Sequence, residues 1–157
     1  MTTVISPGGI VPERWTALAD EELPGDAEHI IVSLHRLLQD TTLVASNQFK
    51  IGLDLEASMP LDDLAEVLPC LDLIVLHFEG FADGRAYSQA KLLRERFQFS
   101  GEIRAQGEVL RDQLSFMQRC GFTQFEIGDE EEVEMALDAF ADFSFTYQPE
   151  LKLAAQI

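Results

Sequence analysis

Basic residues are scarce in this chain. Eleven Lys and Arg stand against 28 Asp and Glu, a net charge of -17, and a surface so balanced is repelled by nucleic-acid phosphates and anionic lipid headgroups. Cysteine is scarcer still. Cys70 and Cys120 lie far apart with no metal-like spacing, which excludes a disulfide framework and a Cys-rich zinc site. No apolar run approaches the ~20 residues of a bilayer span, and Met1-Thr2-Thr3-Val4 lacks the basic and apolar stretches of a secretion signal. These absences point to a soluble, cytoplasmic protein. There is no Gly-x-Gly-x-x-Gly after a strand and no P-loop, so no cofactor is expected. What remains, with 46% hydrophobic residues, ten Gly and six Pro in 157 residues, is the composition of an ordinary globular chain.

The patterning predicts one α/β domain. Residues 1–28 read as an irregular arm in which Val4-Ile5 and Ile10-Val11 flank Ser6-Pro7-Gly8-Gly9, a hairpin signal; Trp15 is placed to anchor that arm. The core runs over 29–148 and a tail over 149–157. Strands are predicted at 29–34, 49–55, 71–78, 102–105 and 122–127, from period-2 alternation or, at Leu73-Ile74-Val75-Leu76-His77-Phe78, from an apolar run suited to a strand buried on both faces. Helices are expected between them, at 36–43, 60–68, 86–97 and 110–117. Gly121 is read as a left-handed cap, and a last helix opens on Asp129 with Glu132 three residues on. Successive βα units of this kind make a mainly parallel sheet, open or partial-barrel-like.

Charge distribution says more than its sum. Between positions 85 and 119 seven basic residues meet four acids, a net of +3, and the remainder of the chain nets -20. Ligands of parallel sheets bind at the carboxyl ends of the strands, and two loops there each bring glycine, aspartate and arginine to a helix start. One is Glu79-Gly80-Phe81-Ala82-Asp83-Gly84-Arg85-Ala86-Tyr87-Ser88; the other is Gln106-Gly107-Glu108-Val109-Leu110-Arg111-Asp112-Gln113. An arginine in a first helical turn is opposed by the macrodipole by ~0.3 to 1 kcal/mol, so Arg85 and Arg111 need compensation. Two readings stay open: structural ion pairs with Asp83 and Asp112, or an anion held by helix N–H groups and arginine forks. Lys91, Arg94 and Arg96 read as a solvated helix face.

Other constellations carry less. His77 and Glu79 share a strand face and, with Asp83, could ligate a divalent metal, but a hydrogen-bonded His77 is the simpler reading and no metal is expected. Cys120 sits at a helix C-terminus, the wrong end for a reactive thiolate.

The blocks Phe81-Ala82-Asp83-Gly84-Arg85-Ala86-Tyr87-Ser88, Gly101-Glu102-Ile103-Arg104-Ala105, Gly107, Val109-Leu110-Arg111-Asp112-Gln113-Leu114 and Arg119-Cys120-Gly121-Phe122 resemble, in order and spacing, the bacterial family called domain of unknown function 934. The likeness runs from Ile30 to the 145–148 tail. Such proteins are labelled oxidoreductases of sulfite reduction, through association with assimilatory sulfate-reduction enzymes. The family pattern falls on Asp83, Gly84, Arg85, Tyr87 and Ser88 and on Arg104, Gly107, Arg111, Asp112 and Gln113. The chain departs from it at Ala86, where glycine is usual, at Glu79-Gly80, where proline is, and at Glu108, where aspartate is. The resemblance implies a setting in sulfite reduction, with a sulfite reductase or another sulfate-assimilation enzyme as partner; joined to the basic island at the strand ends, it leads to a non-redox accessory protein that binds a small oxyanion or an anionic partner surface at the two loops. The alternatives are an enzyme using a partner's redox cofactor, with Arg85 and Arg104 orienting an oxyanion and Asp83 or Asp112 as acid or base, and a structural interaction module, either a homodimer or a partner of a sulfite reductase subunit.

Overall fold

Alternation of apolar and polar residues builds the sheet, and the sheet decides where each loop emerges. The computed structural model describes residues 2–45, 47–56, 59–79 and 84–141. Its strands are β1 (Thr3–Ser6), β2 (Gly9–Val11), β3 (Thr16–Ala17), β4 (His29–Ser33), β5 (Lys50–Leu55), β6 (Leu73–Phe78), β7 (Glu102–Gly107) and β8 (Gln124–Ile127). They form one sheet in the order β2-β1-β8-β7-β6-β5-β4-β3. From β3 to β8 each strand pairs in parallel with its successor, while β1 runs antiparallel to β8 and β2. This is an α/β half-barrel: an open, curled, mostly parallel sheet with an antiparallel edge. The arm is thus more regular than expected, since its hairpin and the short β3 extend the sheet at both ends. Trp15 meets the His29 ring edge-on at 5.1 Å.

Period 2 sorts the sheet's faces. Ile51, Leu53 and Leu55, then Ile74, Leu76 and Phe78, then Ile103 and Ala105, and finally Phe125 and Ile127 share one buried cluster with helical Leu37, Ala90, Leu93, Leu114, Met117 and Phe140. Truncating a fully buried member such as Leu76 to alanine costs ~2 to 5 kcal/mol. On the opposite face Leu73 and Ile31 lean together over Gly52, where an added Cβ would lie 3.1 Å from Ile31 and 3.2 Å from Leu73.

The helices are α1 (Leu34–Gln39), α2 (Thr41–Ala45), α3 (Arg85–Glu95) and α4 (Leu114–Cys120), followed by α5 (130–141). The single helix expected over 36–43 is two, broken at Asp40; Ser33 caps the first by accepting from the Arg36 N–H at 3.1 Å. The helix expected over 60–68 is replaced by 3-10 turns at Leu61–Leu64 and Leu68–Cys70. Leucines three apart, as at Leu61 and Leu64, suit a three-residue turn as well as an α-helix. A 3-10 turn, Arg111–Gln113, likewise precedes α4. Asp129 accepts from the Glu131 N–H at 2.9 Å, as a cap should.

Arg94 is a correction. It lies on α3 beside Lys91 but is not a solvated residue: its guanidinium donates to the carbonyls of Gly121 (2.8 and 3.1 Å), Phe99 (2.8 Å) and Gly101 (2.7 Å). Gly121 ends α4 at φ 119°, and a Cβ there would meet Arg94 Cγ at 2.6 Å. The left-handed cap and the arginine stem therefore need the same glycine. Burial opposes the guanidinium's charge, and the three carbonyls answer it.

Candidate functional site

Residues 59–62, after β5, and the start and face of α3 border a groove of about 620 Å³. Gly84, Arg85, Ser88, Gln89, Leu92 and Arg96 form one wall, and Met59, Pro60, Leu61 and Asp62 the other. Positions 85, 88, 89, 92 and 96 recur at helical spacing, so one stripe of α3 faces the groove along its whole length. Gly84, the N-cap, supplies no side-chain bond to the first turn, and the positive end of the helix macrodipole lies beside Arg85 and Ser88. Two contacts tie the walls together. Gln89 Nε2 donates to the Glu56 carbonyl at 3.2 Å, and at the far end Arg96 Nη2 lies 3.4 Å from Asp62 Oδ1, both side chains exposed.

The second loop leads elsewhere. Arg111 and Asp112 line a smaller cavity of about 240 Å³ with Val109, Leu110, Ile127, Glu132, Met135 and Ala136. Arg111 Nη1 meets Met135 Sδ at 3.2 Å, and its Nε is 3.9 Å from Asp112. Gly107 holds φ 98° against β6, where a Cβ would fall 2.3 Å from the Phe78 carbonyl oxygen. The loops do touch: Tyr87 donates its hydroxyl to Gln113 Oε1, its ring packed between Phe78 (4.9 Å) and Phe116 (4.8 Å). Burial pushes the Tyr87 phenol up.

Arg104 belongs to neither cavity. It faces away from the helices, 3% exposed, donating from Nε to Gln124 Oε1 (3.0 Å) and from both Nη atoms to Glu13 (3.0 and 3.4 Å). It pins the N-terminal arm to the sheet. Of the ten residues picked from sequence, then, Gly84, Arg85 and Ser88 share the groove, Tyr87 and Gln113 join the loops, Arg111 and Asp112 line the second cavity, Gly107 shapes a turn and Arg104 holds the arm. Asp83 lies outside the described residues.

Sequence reasoning missed Arg96 and Asp62 as groove residues, although the spacing from Arg85 to Arg96 carried the signal. It also missed Asp54. On the face opposite the described helices, at the ends of β5 and β6, Asp54 Oδ1 is hydrogen-bonded to His77 Nε2. The bond to Asp54 raises the His77 pKa above its ordinary 6.5, partly offset by burial and reinforced by the charges of Asp54, Glu79 and Glu126. Period 2 places Asp54 and His77 on that face, and polar residues at strand ends were the available clue. Among the described residues no three His, Cys, Asp or Glu side chains are grouped to hold a metal ion, and no helix is long and apolar enough to cross a membrane. Burial raises the Cys120 thiol pKa despite Lys91 and Arg119 nearby.

A family model described as "Bacterial protein of unknown function (DUF934)" matches residues 52–156, two thirds of the chain. No curated protein matches it.

Proposed function

We propose that this chain, which belongs to the DUF934 family of bacterial proteins of unknown function, is an oxyanion-binding accessory protein whose setting is assimilatory sulfite reduction. One observation carries the reading: Arg85 and Ser88, in the first turn of a helix without a side-chain cap, line the same open groove as a second arginine, Arg96. Helix N–H groups, the macrodipole and an arginine fork act together on sulfite, sulfate or a phosphate-like group. The pathway assignment draws on the family resemblance alone, and a sulfite reductase or another sulfate-assimilation enzyme is the partner it implies.

Thermal unfolding with sulfite, sulfate and chloride tests the binding. A site that matters stabilises the protein by ~1 kcal/mol or more at several times Kd, and Arg85→Lys should lose most of that gain because a point charge cannot reproduce the bidentate fork. Melting temperatures unchanged by either sulfur oxyanion at millimolar concentration would remove the proposal. A second reading, an enzyme, draws on the His77–Asp54 pair, an oriented acid–base couple at the strand ends. Its test is turnover that His77→Gln abolishes while leaving oxyanion binding intact.

A further inference from the structure

We propose that the face opposite the described helices carries a second site, at the carboxyl ends of β5 to β8, that takes a small organic cation with ammonium or guanidinium donors. The inference is independent of the oxyanion groove and begins with the curl of the sheet. β2 and β3 are its outermost strands, and seven spacings of about 4.8 Å would hold them about 34 Å apart in a flat sheet. Residues 12–15 alone join Val11 to Thr16, a reach of at most about 18 Å. The edges therefore turn toward each other. The joining segment crosses the concave side as a strap, and Glu13 meets Arg104 on the way.

The middle of this face is closed, since Leu73, Val75 and Arg104 are all buried. One step nearer the carboxyl ends it is accessible. His77 stands beside Gln106 in register, Glu126 follows on the next strand, and His77 and its partner Asp54 have side chains 26% and 47% exposed. Carboxyl ends are where curled parallel sheets hold their ligands.

Hydrogen-bonding capacity at this row tells which ligand. A carboxylate can only accept, so Asp54 takes the Nε2 proton of His77, and Nδ1 is the nitrogen that gains or loses a proton. Gln106 donates its amide to Glu126 at 2.9 Å and Thr2 donates its hydroxyl to the same carboxylate at 2.8 Å, which leaves the Gln106 carbonyl oxygen as one more acceptor. Both arginines buried among the described residues are committed elsewhere, Arg104 to Glu13 and Gln124 and Arg36 to the carbonyls of Ala19 and Glu22. The charges acting on His77 are Asp54 on β5, Glu79 just past β6 and Glu126 on β8, with neutral Gln106 between on β7. A protonated His77 balances this row, and a bound cation takes over that role and releases the proton. Acceptors are in excess, so the ligand is a donor.

Nuclear magnetic resonance of the histidine rings, followed across the His77 titration with and without millimolar agmatine at matched ionic strength, tests this; agmatine carries one ammonium and one guanidinium group. It should lower the His77 pKa by about half a pH unit, equivalent by linkage to about threefold tighter binding on the alkaline side of the titration than on the acid side, and leave His29 and His35 unmoved. Glu126→Gln should weaken agmatine about three- to fivefold, the upper range for an exposed pair. Glu102→Gln, which removes the same charge from the amino end of β7, should change it by less than about 1.5-fold. Asp54→Asn should weaken it too and serves if Glu126→Gln melts early, while His77→Gln should still bind agmatine but without the pH dependence. A His77 pKa unmoved by agmatine in the folded protein overturns the proposal. So does equal weakening by Glu126→Gln and Glu102→Gln, the response of a merely acidic surface. Sulfate stabilisation and its loss in Arg85→Lys are read separately, so either result leaves the oxyanion reading standing or falling on its own test.

Discussion

Replacing Arg94 by methionine tests the structure at the point where it departs most from the sequence. Methionine keeps the apolar stem that packs at Gly121 but removes the donors to Gly121, Phe99 and Gly101. A hydrogen bond from a charged group contributes ~1.5 to 3 kcal/mol. Bonds sharing one guanidinium are not additive, and Arg94 is only half-buried, so the expected loss is about 2 to 4 kcal/mol in total. For a chain of this length that lowers Tm by about 4 to 16 °C. Arg94→Lys, with a single compact donor group, should lose about half as much. Lys91→Met, one helical turn away and exposed, should stay within ~0.5 kcal/mol of wild type. Urea denaturation followed by circular dichroism measures all three. If Arg94→Met proved as harmless as Lys91→Met, the carbonyls would have to be solvated in the folded protein, and the account of how α3, the 99–101 turn and the α4 cap are joined would be wrong.

Tyr87→Phe keeps both aromatic contacts and removes only the bond to Gln113, so it should cost about 0.5 to 1.5 kcal/mol in urea denaturation; no loss at all would mean the loops are not joined there. At Arg104 the order of two variants is diagnostic. Glu13→Ala strands a buried cation whereas Arg104→Met strands a half-exposed carboxylate, so Glu13→Ala should be the more destabilising, by ~1 kcal/mol or more in chemical denaturation, and the reverse order would refute the pairing. For His77 the sign follows from its raised pKa. The Asp54 bond's stability is fully present below the unfolded value of 6.5 and is lost as pH rises through the higher folded value. The stability difference between wild type and His77→Gln should accordingly shrink as pH rises above 6.5, and a difference that grew on the alkaline side would contradict the assignment.

What could be read from sequence, and what could not, divides by the range of the interactions involved. Strands and their buried faces are local patterns, so Leu73-Ile74-Val75-Leu76-His77-Phe78 declared a doubly buried parallel strand, and Gly121 declared a left-handed cap. Loops at strand ends follow from those strands, which is why Arg85 and Ser88 could be picked for a groove whose opposite wall was unknown. Arg94 could not be read in the same way. Its position on α3 matches Lys91 and Gln98, and nothing near it in sequence says that the carbonyls of 99–101 and of Gly121 will fold beneath it. Arg104 failed for a related reason, because Glu13 comes from an arm ninety-one positions away. The helix expected at 60–68 failed on a local ambiguity, since leucines three apart fit two kinds of turn.

These destinations change the meaning of the basic island. Apart from Arg85 and Arg96, which line one groove, its arginines go separate ways: Arg94 is committed to three carbonyls, Arg104 to Glu13 and Gln124, Arg111 to the second cavity, and Arg119 stacks over Phe116 at 5.7 Å. Among the described residues they make no broad positive surface, and at a net charge of -17 the chain's long-range field repels anions. That field decays over a Debye length of ~8 Å at physiological salt, whereas a guanidinium fork and helix N–H groups act at hydrogen-bond contact. On the oxyanion reading proposed above, the groove therefore gains its selectivity at contact range.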